Sequence, residues 1–352
     1  MNDSFYDGLK NIIQWTPPAS WIRVNTIDAH AAGEPLRIIL DGIPILMGDT
    51  ILEKRSFMMD NFDDLRKVLM FEPRGHADMY GCVITPPVSE NADFGVIFTH
   101  NEGYSTMCGH GIIAVTKAVL QTGMVIKNEP VTVIKIDTPA GLVTSHANIK
   151  NNEIESIYFH NVPSYALALN QNVEVAGIGT VNYDIAFGGA FYAFVDADKL
   201  GISMTENNFR LLIEKGMNIK RAVMKSFKIK HPYENDLNFL YGTIFTGAPL
   251  NKNNHSRNVC IFADGEVDRS PTGTGVSARM ALHFAKDEIS IDQTLVIESI
   301  IGTIFKGRVV GTTKFGDYNA IIPEVEGNAY LTGKHEFLLD PKDPIKNGFI
   351  LR

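Results

Sequence analysis

A chain of 352 residues with 45% hydrophobic and 20% charged side chains is long enough to build two domains, each around a substantial core. A net charge of −8 with no dense Lys/Arg patch argues against a nucleic-acid partner. No apolar run reaches 18 residues, the start Met1-Asn2-Asp3-Ser4 lacks a basic and apolar leader, and three cysteines give neither a disulfide framework nor zinc spacing, so a cytoplasmic protein without a membrane partner is expected.

In chain order, strand patterns near 22–29 and 35–41 precede a helix near 50–69, then strands near 79–85 and 93–99, a helix opening at Cys108, and a hairpin near 131–149. The plan then repeats: strands near 181–195, a helix near 206–227, strands near 239–246 and 257–263, a helix opening at Thr272, and strands near 294–312. The repeat is one of architecture and not of sequence. It predicts two similar lobes facing one another across a cleft, where small-molecule pockets concentrate. The expected division is 1–187 for a lobe carrying Cys108, completed by 335–352, and 188–334 for a lobe carrying Asp268 and Thr272, with a hinge near Gly188-Gly189.

Two glycine-rich segments carry the chemistry. Met107-Cys108-Gly109-His110-Gly111 and Pro271-Thr272-Gly273-Thr274-Gly275 each open an apolar run spaced as a helix face, and so read as helix N-termini. Such an end offers unpaired N–H groups and partial positive charge, suited to binding a carboxylate and to lowering the pKa of a thiol. Cys108 is therefore expected to be reactive and partly thiolate, whereas Thr272 offers only a hydroxyl. Asp268, just before the second turn, can pair with a substrate ammonium or secondary amine. The second segment is not a phosphate-binding loop, because the lysine of that motif is missing. Cys82 and Cys260 lie in strand-like apolar runs and read as core residues. His30, His76 and His100 match no helical metal-ligand pair, and no metal site is expected. Glu72 and Arg74 read as a turn-stabilising pair, with Glu102 and Tyr104 supporting the Cys108 loop.

These blocks, together with Asp28-x-His30-x-x-Gly33-Glu34-Pro35-Leu36-Arg37, Glu72-Pro73-Arg74-Gly75-His76, Asp184-Ile185-Ala186-Phe187-Gly188-Gly189 and Glu298-Ser299-Ile300-Ile301-Gly302, resemble the signature blocks of the proline racemase family, in order, from about residue 22 to the end. The resemblance implies an α/β (α+β), diaminopimelate-epimerase-like fold: two pseudo-symmetric lobes, each a curved sheet or barrel around a central helix, with the active site in the interlobe cleft. It further implies no cofactor and a homodimer. It also implies carboxylate binding by backbone amides of Gly109, His110, Gly273 and Thr274, with Asp268 on the ring nitrogen of a small imino acid. Racemases and epimerases of the family use two cysteines. Here Thr272 replaces the second, as in the branch that dehydrates trans-3-hydroxy-L-proline. The expected reaction is thus elimination of water to Δ1-pyrroline-2-carboxylate with Cys108 as single base. The rivals are a proline racemase or hydroxyproline 2-epimerase, and a binding protein for imino acids without catalysis.

Overall fold

The computed structural model describes residues 3–351; Met1, Asn2 and Arg352 lie outside them. Among the described residues five α-helices, α1 (Asp3–Gln14), α2 (Ile51–Met70), α3 (Gly109–Gln121), α4 (Phe209–Ser226) and α5 (Gly273–Ala285), accompany eighteen strands joined in one continuous sheet. Among the described residues no helix is long and apolar enough to cross a membrane. The start of α2 is fixed by a capping box, in which Thr50 Oγ1 accepts the Glu53 N–H and the Glu53 carboxylate accepts the Thr50 N–H.

The strand pairings repeat the order expected of a duplicated plan. Ile22–Ala31 lies antiparallel to Glu34–Ile39, which runs parallel to Tyr80–Thr85; that strand is antiparallel to Phe94–His100, which runs parallel to Val131–Thr138. The second half follows the same pattern. Gly179–Phe187 lies antiparallel to Phe191–Asp196, which runs parallel to Leu240–Gly247, and that strand is antiparallel to Ser256–Phe262, itself parallel to Leu295–Glu298. One further strand completes each set: Ala329–Leu339 pairs with Ile22–Ala31, and Tyr165–Val175 with Gly179–Phe187. The halves join edge to edge where Glu324–Gly327 pairs with Ile157–His160.

Each half wraps a central helix. Strands 22–31, 34–39, 141–150, 153–160 and 329–339 touch α3, while strands 165–175, 179–187, 191–196, 304–315 and 318–327 touch α5. Periodicity suggested one buried face for these two helices, but the structure buries nearly every side: all residues of α3 from Gly109 to Thr116 and of α5 from Gly273 to Leu282 are buried. A helix enclosed by a curved sheet has no solvent face to mark with polar residues. Since the hairpin 165–187 packs on α5 and α4, we propose a division different from 187/188, with the chain leaving the first lobe near 161–164 and returning to it through 329–339.

Two of the sequence blocks have structural work. Arg37, 6% exposed, donates from Nε and Nη2 to both oxygens of Asp28, from Nη1 to the carbonyls of Leu69 and Arg74 at 2.6 and 2.7 Å, and lies 4.2 Å from the centre of the Phe337 ring. Arg37→Ala leaves these buried acceptors unpaired, and urea unfolding should show a loss of about 3–5 kcal/mol. A loss below about 1 kcal/mol would contradict this role. The expected Glu72–Arg74 pair does not form. Arg74 instead reaches Asp343 at 3.6 Å and the Lys346 carbonyl at 3.2 Å, so this turn holds the C-terminal segment.

Candidate active site

The two glycine-rich segments form helix N-termini, and the helices meet end to end. A Cβ on Gly109 would stand 2.5 Å from the Gly273 Cα, and one on Gly273 would stand 2.6 Å from the Gly109 Cα. Only glycine permits so close an approach of two backbones. Helix geometry leaves the N–H groups of Gly109, His110, Gly273 and Thr274 without intrahelical acceptors, so two partial positive charges converge here. Gly188 completes the packing, since a Cβ there would lie 2.3 Å from the Thr274 carbonyl. Asn161 Nδ2 donates to the Gly188 carbonyl at 2.7 Å and to Ser277 Oγ on α5 at 2.9 Å.

Cys108 is the N-cap of α3, and its Sγ accepts the Gly111 N–H at 3.2 Å. His110 lies against the same sulfur, with Nδ1 at 3.3 Å and Nε2 at 3.5 Å. Burial pulls the His110 imidazole down to about 3, despite a hydrogen bond to the Pro35 carbonyl, so this ring is neutral at pH 7. Thr272, the N-cap of α5, has φ of +66°, a left-handed conformation that disfavours a β-branched residue. Its Oγ1 is buried and makes no hydrogen bond of normal geometry, although it lies near enough to Asp268 and Cys260 to oppose the upward push of burial on both groups. Asp268, 5% exposed, accepts the Ser270 N–H at 2.7 Å; burial still pushes its carboxyl upward.

Cys108 overturns one expectation. The sequence suggested a partly ionised thiol, but the sulfur is sealed in the closed interface, and this burial pushes the thiol well above its ordinary range. The Gly111 N–H works against that rise, while Asp268 adds to it. A helix end acts over one turn, whereas loss of water removes the solvation of the thiolate altogether. Alkylation by iodoacetamide should therefore be slow at pH 7 in the free protein and rise with a midpoint above the ordinary thiol value of about 8.5. A midpoint below about 7.5 would contradict the buried geometry.

Side chains that sequence reading missed close the pocket. Tyr80, Tyr192, Tyr241, Phe262 and Met107 line it with Cys108, Asp268 and Thr272, leaving a cavity of only about 20 Å³. That volume holds little more than a water molecule, so an imino acid gains access only if the lobes part. Tyr192 Oη lies 2.7 Å from Thr274 Oγ1, Tyr80 Oη donates to Ser105 Oγ, and burial holds all three phenols in their protonated form at neutral pH. These tyrosines sit in strands whose sequence looks like ordinary core, and no local signal marks them. Cys260 is buried as expected, yet it also lines this pocket. The three histidines take structural positions: His30 Nδ1 accepts the Gly33 N–H at 3.3 Å, His76 Nδ1 lies 2.7 Å from the Ala77 carbonyl, and His100 lies 3.2 Å from Glu266 across the lobes. Arg66 lies over the Tyr104 ring, which packs with the apolar cluster of Met58, Leu69 and Ile97 and not with the cluster that holds Cys108.

Residues 26–350 match the family model described as proline racemase. A trans-3-hydroxy-L-proline dehydratase of Colwellia psychrerythraea is 49% identical over 342 residues, which covers 96% of each chain, and one of Bacillus cereus is 47% identical over 93% of this chain and 97% of that one. Among solved structures, a hydroxyproline epimerase from Agrobacterium vitis with bound trans-4-hydroxy-L-proline superposes with a TM-score of 0.89, at 30% identity over 95% of this chain and 96% of that one. The fold, the paired helix ends and these similarities agree: the chain belongs to the proline racemase family.

Proposed function

We propose that this protein dehydrates trans-3-hydroxy-L-proline to Δ1-pyrroline-2-carboxylate. The observation that carries the reading is the asymmetry of the site: two helix ends face one pocket, with a thiol at one and a hydroxyl at the other. The names of the dehydratases to which the chain is similar support it. In this substrate the hydroxyl and the α-hydrogen both lie opposite the carboxylate, so one base on one face serves the whole elimination. Backbone N–H groups of Gly109, His110, Gly273 and Thr274 bind the carboxylate and stabilise the negative charge that develops on it as the α-proton leaves. Asp268 holds the ring nitrogen.

Cys108 as thiolate takes the α-proton. The C–H electron pair forms the C2–C3 double bond as the C3–O bond breaks, and the proton on sulfur passes to the departing hydroxyl as water. The thiolate is thereby restored, and the enamine product tautomerises to Δ1-pyrroline-2-carboxylate. Because the closed site disfavours ionisation, the thiol loses its proton to solvent while the lobes are apart. Thr272 Oγ1, which lacks a hydrogen bond in the closed protein, supplies one to the bound substrate from the opposite face.

The similar epimerase structure favours a second reading, isomerisation at the α-carbon, and Thr272 is what argues against it. An alcohol is far too weak an acid or base at neutral pH to replace a thiol in proton exchange. Thr272→Cys should restore the second base, so that α-deuterium incorporation into L-proline rises at least about tenfold over the parent. No gain in a folded Thr272→Cys variant would contradict the assignment of reaction type to this position.

A further inference from the structure

Glu34 lies in the first lobe and has no part in the chemistry above. Its side chain is fully buried. It nevertheless crosses to the second lobe, where Oε2 accepts the N–H of Arg269 at 2.6 Å, the residue directly after Asp268. Its other oxygen, Oε1, is sealed from solvent and meets no hydrogen-bond partner. Arg269 Nη1 pairs with Asp78 Oδ2 at 2.8 Å, so the interface gathers three carboxyls, Glu34, Asp78 and Asp268, around one guanidinium.

The charges of this cluster assign the proton. Arg269 is matched by Asp78, and a ring ammonium arriving with the substrate is matched by Asp268. That leaves no cation for Glu34, and a fully buried carboxyl without one keeps its proton. The titratable and charged groups facing it agree. Burial, then Asp268 and Asp78, hold its carboxyl well above the usual carboxylate range against the pull of Arg269, and Cys108 and Cys260 are the further titratable groups facing it.

We infer that Glu34 is a positioning residue: a neutral acid that holds the Arg269 N–H across the lobe interface and thereby sets the Asp268–Ser270 turn against the substrate nitrogen when the lobes close. The inference rests on the reading above only in bringing an imino-acid nitrogen to Asp268. A neutral acid and an amide offer the same acceptor to that N–H, whereas a shorter or missing side chain offers none.

The full chain and its Glu34→Gln, Glu34→Asp and Glu34→Ala variants are titrated calorimetrically with L-proline, a ligand whose binding needs no turnover. Glu34→Gln should bind within about threefold of the parent, while Glu34→Asp and Glu34→Ala should weaken binding at least about tenfold, the range expected for losing a buried hydrogen bond. With trans-3-hydroxy-L-proline the same loss should appear in KM more than in kcat. Infrared difference spectra should show a protonated-carboxyl band in the parent that Glu34→Gln removes. If Glu34→Ala fails to fold, Glu34→Asp carries the comparison. Unchanged binding by the shortened variants, equal damage by Glu34→Gln, or absence of that band would overturn the inference. A parent that binds L-proline with this order of variants but eliminates no water would overturn the dehydratase reading alone.

Discussion

Cys108→Ser should lose at least about 10³-fold in kcat for trans-3-hydroxy-L-proline while still binding it. The substitution is nearly isosteric and keeps an N-cap acceptor for the Gly111 N–H, so the start of α3 should stand. It removes the one thiol that sits at a helix end in the pocket, and the serine hydroxyl does not ionise usefully at neutral pH. Cys260 also lines the pocket, but burial pushes its thiol well above the ordinary range and it caps no helix. It should not substitute for Cys108. Steady-state kinetics with calorimetric binding checks both halves of the expectation, and a Cys108→Ser variant with more than about a tenth of parental kcat would remove the assigned base.

The second large effect is steric. Gly273→Ala places a methyl carbon 2.6 Å from the Gly109 Cα and 3.1 Å from its carbonyl carbon, and no flexible side chain is present to yield. The helices must separate. An overpacked contact costs about 1–3 kcal/mol in stability, which a protein of this size tolerates, but a shift of about 1 Å between two halves of one site is worth about 100-fold in rate. A folded protein with activity lowered about 100-fold is therefore expected, and Gly109→Ala should match it. Gly8→Ala, on α1 with nothing within 4 Å of the added carbon, serves as the control and should leave activity unchanged. Circular dichroism and kcat/KM on the three variants separate folding from alignment. Parental activity in Gly273→Ala would mean that the helix ends do not need to touch.

Much of this was written locally in the chain. The helix starts at Gly109 and Gly273 were legible because glycine, a capping position and an apolar run coincide within five residues, and the pairs of strands before each start were legible from short apolar runs. What escaped depends on contacts between distant segments. Strand 165–175 has a half-exposed, mixed pattern, and its place beside α5 follows from its pairing with 179–187, not from its own composition. Helix α1, with Phe5, Ile12 and Ile13 exposed, was not read as a helix at all. In the site, Cys108, Asp268 and Thr272 were found from motif chemistry, whereas Tyr80, Tyr192 and Tyr241 join it only through the curvature of the sheet. The acidity of Cys108 was misjudged for the same reason. A sequence shows the helix end that favours a thiolate but not the closure of two lobes that excludes water from it.

The most direct test of single-base elimination is proton NMR of the purified protein with trans-3-hydroxy-L-proline in D2O, with L-proline and Cys108→Ser in parallel. Δ1-pyrroline-2-carboxylate is expected from the parent, none from Cys108→Ser, and no D-proline from L-proline. Deuterated L-proline with D-proline forming, and no elimination from the hydroxylated substrate, would contradict single-base elimination.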